Sequence, residues 1–108
     1  MITFDVETGR PDDVASSLRR RVSALTRRDR VRAFKIGITA APERRFCESY
    51  AQSYDQMVVL YRTQSYASIC RIEQDLIDHN WEVCDNLVRG GGGRICLGPY
   101  FLYVVREH

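Results

Sequence analysis

At 108 residues, with 44% hydrophobic and 28% charged residues, the chain is long enough to bury one core and too short for two. A single domain is therefore expected over 1–108, with residues 1–30 forming an N-terminal strand and basic helix and 31–108 the core. No window is apolar over the length a bilayer needs, and MITFDVETGR has neither a basic start before an apolar stretch nor a small-residue cleavage pattern. These features argue against a membrane protein and a secreted one, and set an intracellular location, cytoplasmic or nuclear, as the expectation.

The net charge of +2 does not announce a nucleic-acid partner, but fifteen of the sixteen cations are Arg, the planar fork that suits phosphate. Five of them fall in the clusters Arg19-Arg20-Arg21 and Arg27-Arg28, which are open to two readings: a phosphate-binding surface or the solvated face of a helix. The cysteines at 47, 70, 84 and 96 show no close pair and no His at finger-like spacing, so they do not outline a zinc site. Cys70 and Cys96 stand in apolar surroundings and read as small core residues.

In chain order, a short strand is predicted at Ile2 to Val6. Turn material at Gly9 to Asp13 follows and offers Asp12 or Asp13 as an N-cap. Val14, Leu18, Val22 and Leu25 then mark one buried helical face, with the Arg clusters pointing away from it. Val31 to Thr39 predicts a strand in which backbone or ligand approaches Gly37 closely. Pro42 suits the first turn of a helix running towards Ser53, with Phe46 and Tyr50 inward at i,i+4 spacing. Gln56 to Thr63 reads as a central strand, and a helix from about Ser65 to Trp81 carries Ile69, Ile72, Leu76 and Ile77 on one face. A loop with Asn86 and the glycines at 90–93 precedes a last strand, Tyr100 to Arg106. The whole predicts an α/β (α+β) fold: a small three- to four-stranded mixed or antiparallel sheet flanked by three helices.

Two positions stand out chemically. At about 100° per residue, Glu73 falls between Ile69 and Ile77, so its carboxylate projects from the apolar stripe while Arg71, Gln74, Asp75 and Asp78 take the outer side. Burying a lone carboxylate is costly unless it is paired or holds a metal, so Glu73 calls for a cation: an Arg in a structural salt bridge or a metal ion. The second is Phe34 to Thr39 followed by Pro42 to Phe46, where Arg45, in the first helical turn, and open backbone at Gly37 would converge on an anion.

The segments KIGIT and AAPERRF resemble the second strand and first helix of the GIY-YIG nuclease superfamily, in the branch where the YIG tripeptide is KIG. Ile72 to Ile77 resembles the metal-binding helix of the excision-repair members. The resemblance covers roughly 34–105 and implies that Arg45 is the catalytic Arg, that Glu73 holds Mg²⁺ or Mn²⁺, and that Asn86 closes the site. Lys35 replaces the Tyr of YIG, and no GIY-like strand precedes Phe34. The terminal strand PYFLYVVR is similar to the family's first strand, so a circularly permuted domain would place Tyr103 as the GIY Tyr. Ser49 stands where many relatives have His, with Tyr50 adjacent; His79 and His108 carry no assignment. The function so implied is metal-dependent phosphodiester hydrolysis of nucleic acid, DNA before RNA, with Tyr103, Tyr50 or Lys35 helping to deprotonate water. Gly37, Arg19, Arg20, Arg27 and Arg28 would contact the nucleic acid. The alternative is an inactive nucleic-acid-binding or protein-interaction module on the same scaffold.

Overall fold

The computed structural model describes residues 1–27, 29–80 and 98–108. Arg28, Asn86, Cys84, Cys96 and the glycines at 90–93 lie outside the described residues. Seven elements follow in order: β1 (Ile2–Glu7), α1 (Pro11–Leu25), β2 (Ala33–Thr39), α2 (Pro42–Arg45, continued as a π-helical turn over Phe46–Tyr50), β3 (Gln56–Thr63), α3 (Tyr66–His79) and β4 (Tyr100–Glu107). This is an α+β fold with a four-stranded mixed sheet and three helices. The strand order is β1-β3-β4-β2, with β1 parallel to β3 and β4 antiparallel to both of its neighbours.

Most elements start and stop where their residues dictate. Pro11 opens α1, because its missing N–H would find no partner in a first turn. Asp12 and Asp13 therefore sit inside that turn rather than capping it, and Arg10, in extended conformation, holds the cap position without a side-chain bond. Ser65 caps α3 by accepting from the Ser68 N–H at 3.1 Å. That helix stops at His79, short of Trp81, and the Asn80 amide donates to the Leu76 carbonyl at 2.7 Å. Strand β2 begins at Ala33, not Val31, because the Val31 N–H is spent on the Arg27 carbonyl in the preceding turn.

The segment after Pro42 departs furthest from expectation. Only four residues are α-helical before the ladder widens, with the Ala51 N–H reaching the Phe46 carbonyl at 2.8 Å. So short an element has little macrodipole, and the helix-start argument for anion binding near Arg45 loses most of its force.

Alternation along the strands sends side chains to two faces. On one face, Phe34, Ile36, Ile38, Val58, Leu60, Leu102 and Val104 meet the apolar stripes of α1 (Val14, Leu18, Val22) and α3 (Ile69, Ile72, Leu76, Ile77). Residues 1–30 thus feed the same core as the rest. On the other, Met57, Val59, Tyr103 and Val105 pack beneath Phe46 and Tyr50 from the short helical segment. The described residues form a three-layer arrangement, with two long helices on one sheet face and barely two helical turns on the other.

Candidate functional site

The site is centred on the thinly covered face. Antiparallel pairing sets Gly37 of β2 directly beside Tyr103 of β4, and residues so paired project to the same side. With no side chain at 37, the Tyr103 phenol lies over the glycine: a Cβ there would stand 2.5 Å from the phenol Cζ and closer still to its oxygen. The close approach expected at Gly37 is real, but a phenol fills the space that the sequence left open for phosphate. Gly37 is buried beneath that ring.

Tyr50, brought inward by the π-helical turn, shares a hydrogen bond of 2.8 Å with the Tyr103 hydroxyl, in which either oxygen can donate. Lys35, two residues before Gly37 and on the same face, places its ammonium 5.8 Å from the Tyr50 ring centroid, within cation–π range. Burial pushes the Tyr103 hydroxyl well above the usual phenol range, and the bond to Tyr50 adds to this. Arg45 acts in the opposite sense and favours the phenolate, while Glu73 disfavours it. The two residues singled out in the sequence therefore both bear electrostatically on one hydroxyl.

Glu73 is the only buried charged side chain among the described residues, at 5% exposure, and its Oε1 has no hydrogen-bond partner. Desolvation pushes its carboxyl up to about 7, as expected for an acid enclosed by the α3 stripe. Among the described residues no ion pair joins Glu73 to Arg45 or to any other cation, so the structural salt bridge weighed from sequence is not found there. Arg45 itself is exposed. One neighbour was not anticipated. Tyr66, whose hydroxyl is held above its ordinary range chiefly by Cys70, also feels Glu73. The spacing 66, 70, 73 places all three on one side of a helix and could have revealed it.

The basic surface of α1 is less free than its letters suggest. Arg19 forks onto Asp75 of α3, with Nε 2.9 Å from Oδ2 and Nη2 on Oδ1. Arg21 is drawn to β1, bonding Glu7 at 2.9 Å and the Asp5 backbone carbonyl at 2.6 Å. Arg20 stays exposed, and Arg27 lies 3.5 Å from Asp29. Of the contacts expected for nucleic acid, Arg19 is thus committed to holding two helices together. Arg28 and Asn86 fall outside the described residues; His79 is exposed, and His108 lies 3.5 Å from Asp55.

A single carboxylate with an unpartnered oxygen is a donor set that Mg²⁺ or Mn²⁺ accepts, because such ions keep several waters and need only one or two protein carboxylates. No group of three His, Cys, Asp or Glu side chains converges among the described residues, so a closed cage of protein ligands is not formed there. No helix among them is long and apolar enough to cross a membrane. The chain matches no protein-family model, no curated protein and no solved structure.

Proposed function

We propose that this chain is a nuclease-like domain that hydrolyses phosphodiester bonds in nucleic acid with the help of one divalent cation, in a divergent, circularly permuted GIY-YIG-like arrangement. The observation that carries the reading is the orphaned Oε1 of the buried Glu73, and the Tyr103 hydroxyl, which lies over the glycine of the KIG segment and is bonded to Tyr50, supports it. Permutation is supported by the full-length antiparallel pairing of β4 with β2.

In this reading Glu73 holds Mg²⁺ or Mn²⁺ through its free oxygen, and the cation when bound supplies Lewis-acid stabilisation of charge on the phosphate. Arg45, exposed and without an ion pair among the described residues, binds the scissile phosphate and offsets its developing charge. Tyr103 keeps its proton at neutral pH, so it acts by orienting the attacking water, its hydroxyl fixed by the 2.8 Å bond to Tyr50, and the water's proton leaves to solvent. Lys35 lies against the Tyr50 ring, its ammonium 5.8 Å from the centroid. Arg20 and Arg27 add phosphate contacts that carry no sequence information.

The test is incubation of the purified protein with branched, nicked and linear DNA and RNA in Mn²⁺, beside Glu73→Ala, Arg45→Ala and Tyr103→Phe. Cleavage by the wild type that is lost in all three variants supports the enzyme. Binding without cleavage on every substrate favours the second reading, an inactive binding module. That alternative draws on the fact that burial drives both Glu73 and Tyr103 towards their protonated forms.

A further inference from the structure

We infer that the sheet face carrying Tyr103 continues past the short helical cover into an open platform for single-stranded nucleic acid, on which Phe4 stacks a base and Arg62 meets the phosphate backbone. The inference rests on the phosphodiesterase reading and names its substrate class.

The face is laid out in rows by the strand register. One row runs Gly37, Tyr103, Val59, Phe4 across β2, β4, β3 and β1; the next runs Thr39, Phe101, Arg62. Phe46 and Tyr50 roof the middle of this surface, and their cluster reaches β1 at its first residue, Ile2, leaving Phe4 outside it. Phe4 is left 50% exposed, an unusual state for a large aromatic ring, and with Met1 and Val6 it places every exposed large hydrophobic of the described residues on β1 or at its start. Two strand spacings, or about 10 Å, separate Phe4 from the Tyr103 strand, so a base on Phe4 and a phosphate near Tyr103 belong to neighbouring nucleotides.

Charge fits the same occupant. The acids of β1 that would repel phosphate are drawn off the platform: Arg21 of α1, which packs on the opposite face, bonds Glu7 at 2.9 Å and Asp5 at 3.0 Å. On the platform side stand Arg62, exposed beside the half-buried Phe101, with Arg45 and Lys35 further in. None of these three cations forms an ion pair among the described residues. An aromatic surface edged by such cations attracts splayed bases and their backbone, whereas the stacked bases of a duplex present no face to it.

Fluorescence anisotropy in EDTA reads binding without hydrolysis, using labelled oligothymidylate, oligouridylate and a duplex of equal length. Both single strands, or one of them where the sugar matters, should bind more tightly than the duplex. Phe4→Ala should weaken single-strand binding by about tenfold and leave the duplex unchanged, and Phe4→Trp should preserve binding and show emission quenched on addition of the oligonucleotide. Arg62→Ala should reduce the slope of log affinity against log salt by about 0.7. Equal affinity for single strand and duplex, or indifference to Phe4→Ala, overturns the inference. So does a fall in mass by light scattering in Phe4→Ala, which would show that a second copy covers β1. Duplex cleavage lost in Glu73→Ala beside failed single-strand binding would sink the platform and leave the nuclease. Tight, Phe4-dependent binding without cleavage would do the reverse.

Discussion

Tyr103 occupies the volume that a side chain at position 37 would need: a Cβ on Gly37 would come within 2.5 Å of the phenol Cζ and overlap its oxygen. The ring cannot swing away freely, because it is buried at 1% exposure and bonded to Tyr50. Gly37→Ala should therefore cost about 1–3 kcal/mol of stability, the usual penalty for overpacking a filled core. The cost should shrink in a Tyr103→Leu background, which removes both the hydroxyl and Cζ. Urea unfolding of the four members of this double-mutant cycle measures the coupling; simple additivity would mean that the two positions do not meet.

Glu73 gives stability a pH dependence whose sign follows from its burial. Its carboxyl is pushed up from 4.5 to about 7 in the folded chain, so the folded state binds the proton more tightly than the unfolded one. Below about 4.5 both states are protonated and the group costs nothing. As pH rises to about 7 the unfolded chain ionises first, the folded state loses ground, and above that the penalty is complete. Its full size is about 3 kcal/mol. Glu73→Gln should abolish this slope, so the variant gains on the wild type between pH 5 and 8 when melts are compared. A constant difference across that range would contradict the burial of the carboxylate.

A cation bound at Glu73 must compete with that proton. Mn²⁺ at about a hundred times its dissociation constant should add about 2.7 kcal/mol to wild-type stability. The effect should be larger at pH 8 than at pH 6, and absent in Glu73→Gln. Thermal melts with and without the ion read this independently of any cleavage. Equal stabilisation of wild type and variant would place the ion elsewhere.

Arg106 makes a different kind of prediction, about the frame that holds the site. Its Nε and Nη2 donate to the Gln56 side chain at 2.8 and 2.6 Å, and Nη1 donates to the Leu25 carbonyl at 2.9 Å, at the end of α1. One fork thus ties β4, β3 and a helix C-terminus, where a cation is favoured. Arg106→Ala should cost about 2 kcal/mol. Lys should restore little of it, since an ammonium cannot span both acceptors. Full rescue by Lys in denaturant titrations would show that charge alone matters there.

Local pattern determined a good deal of this protein by itself. The stripe of Val14, Leu18 and Val22, the strand Gln56–Thr63 and the anomalous place of Glu73 all follow from side-chain period, because neighbours along one element are fixed by backbone geometry alone. Period also predicted that Phe46 and Tyr50 point inward, although not that the turn between them would widen. What the letters do not carry is which strand lies beside which. The order β1-β3-β4-β2 brings Tyr103 against Gly37 and leaves Phe4 on an edge, and it depends on the joint burial of three layers rather than on any one segment. The same holds for charge: Arg19 reads as a free cation along the helix, yet the packing of α1 on α3 delivers Asp75 to it. Contacts between residues far apart in the chain arise only when the core closes, and that is why the site's membership was partly legible beforehand while its assembly was not.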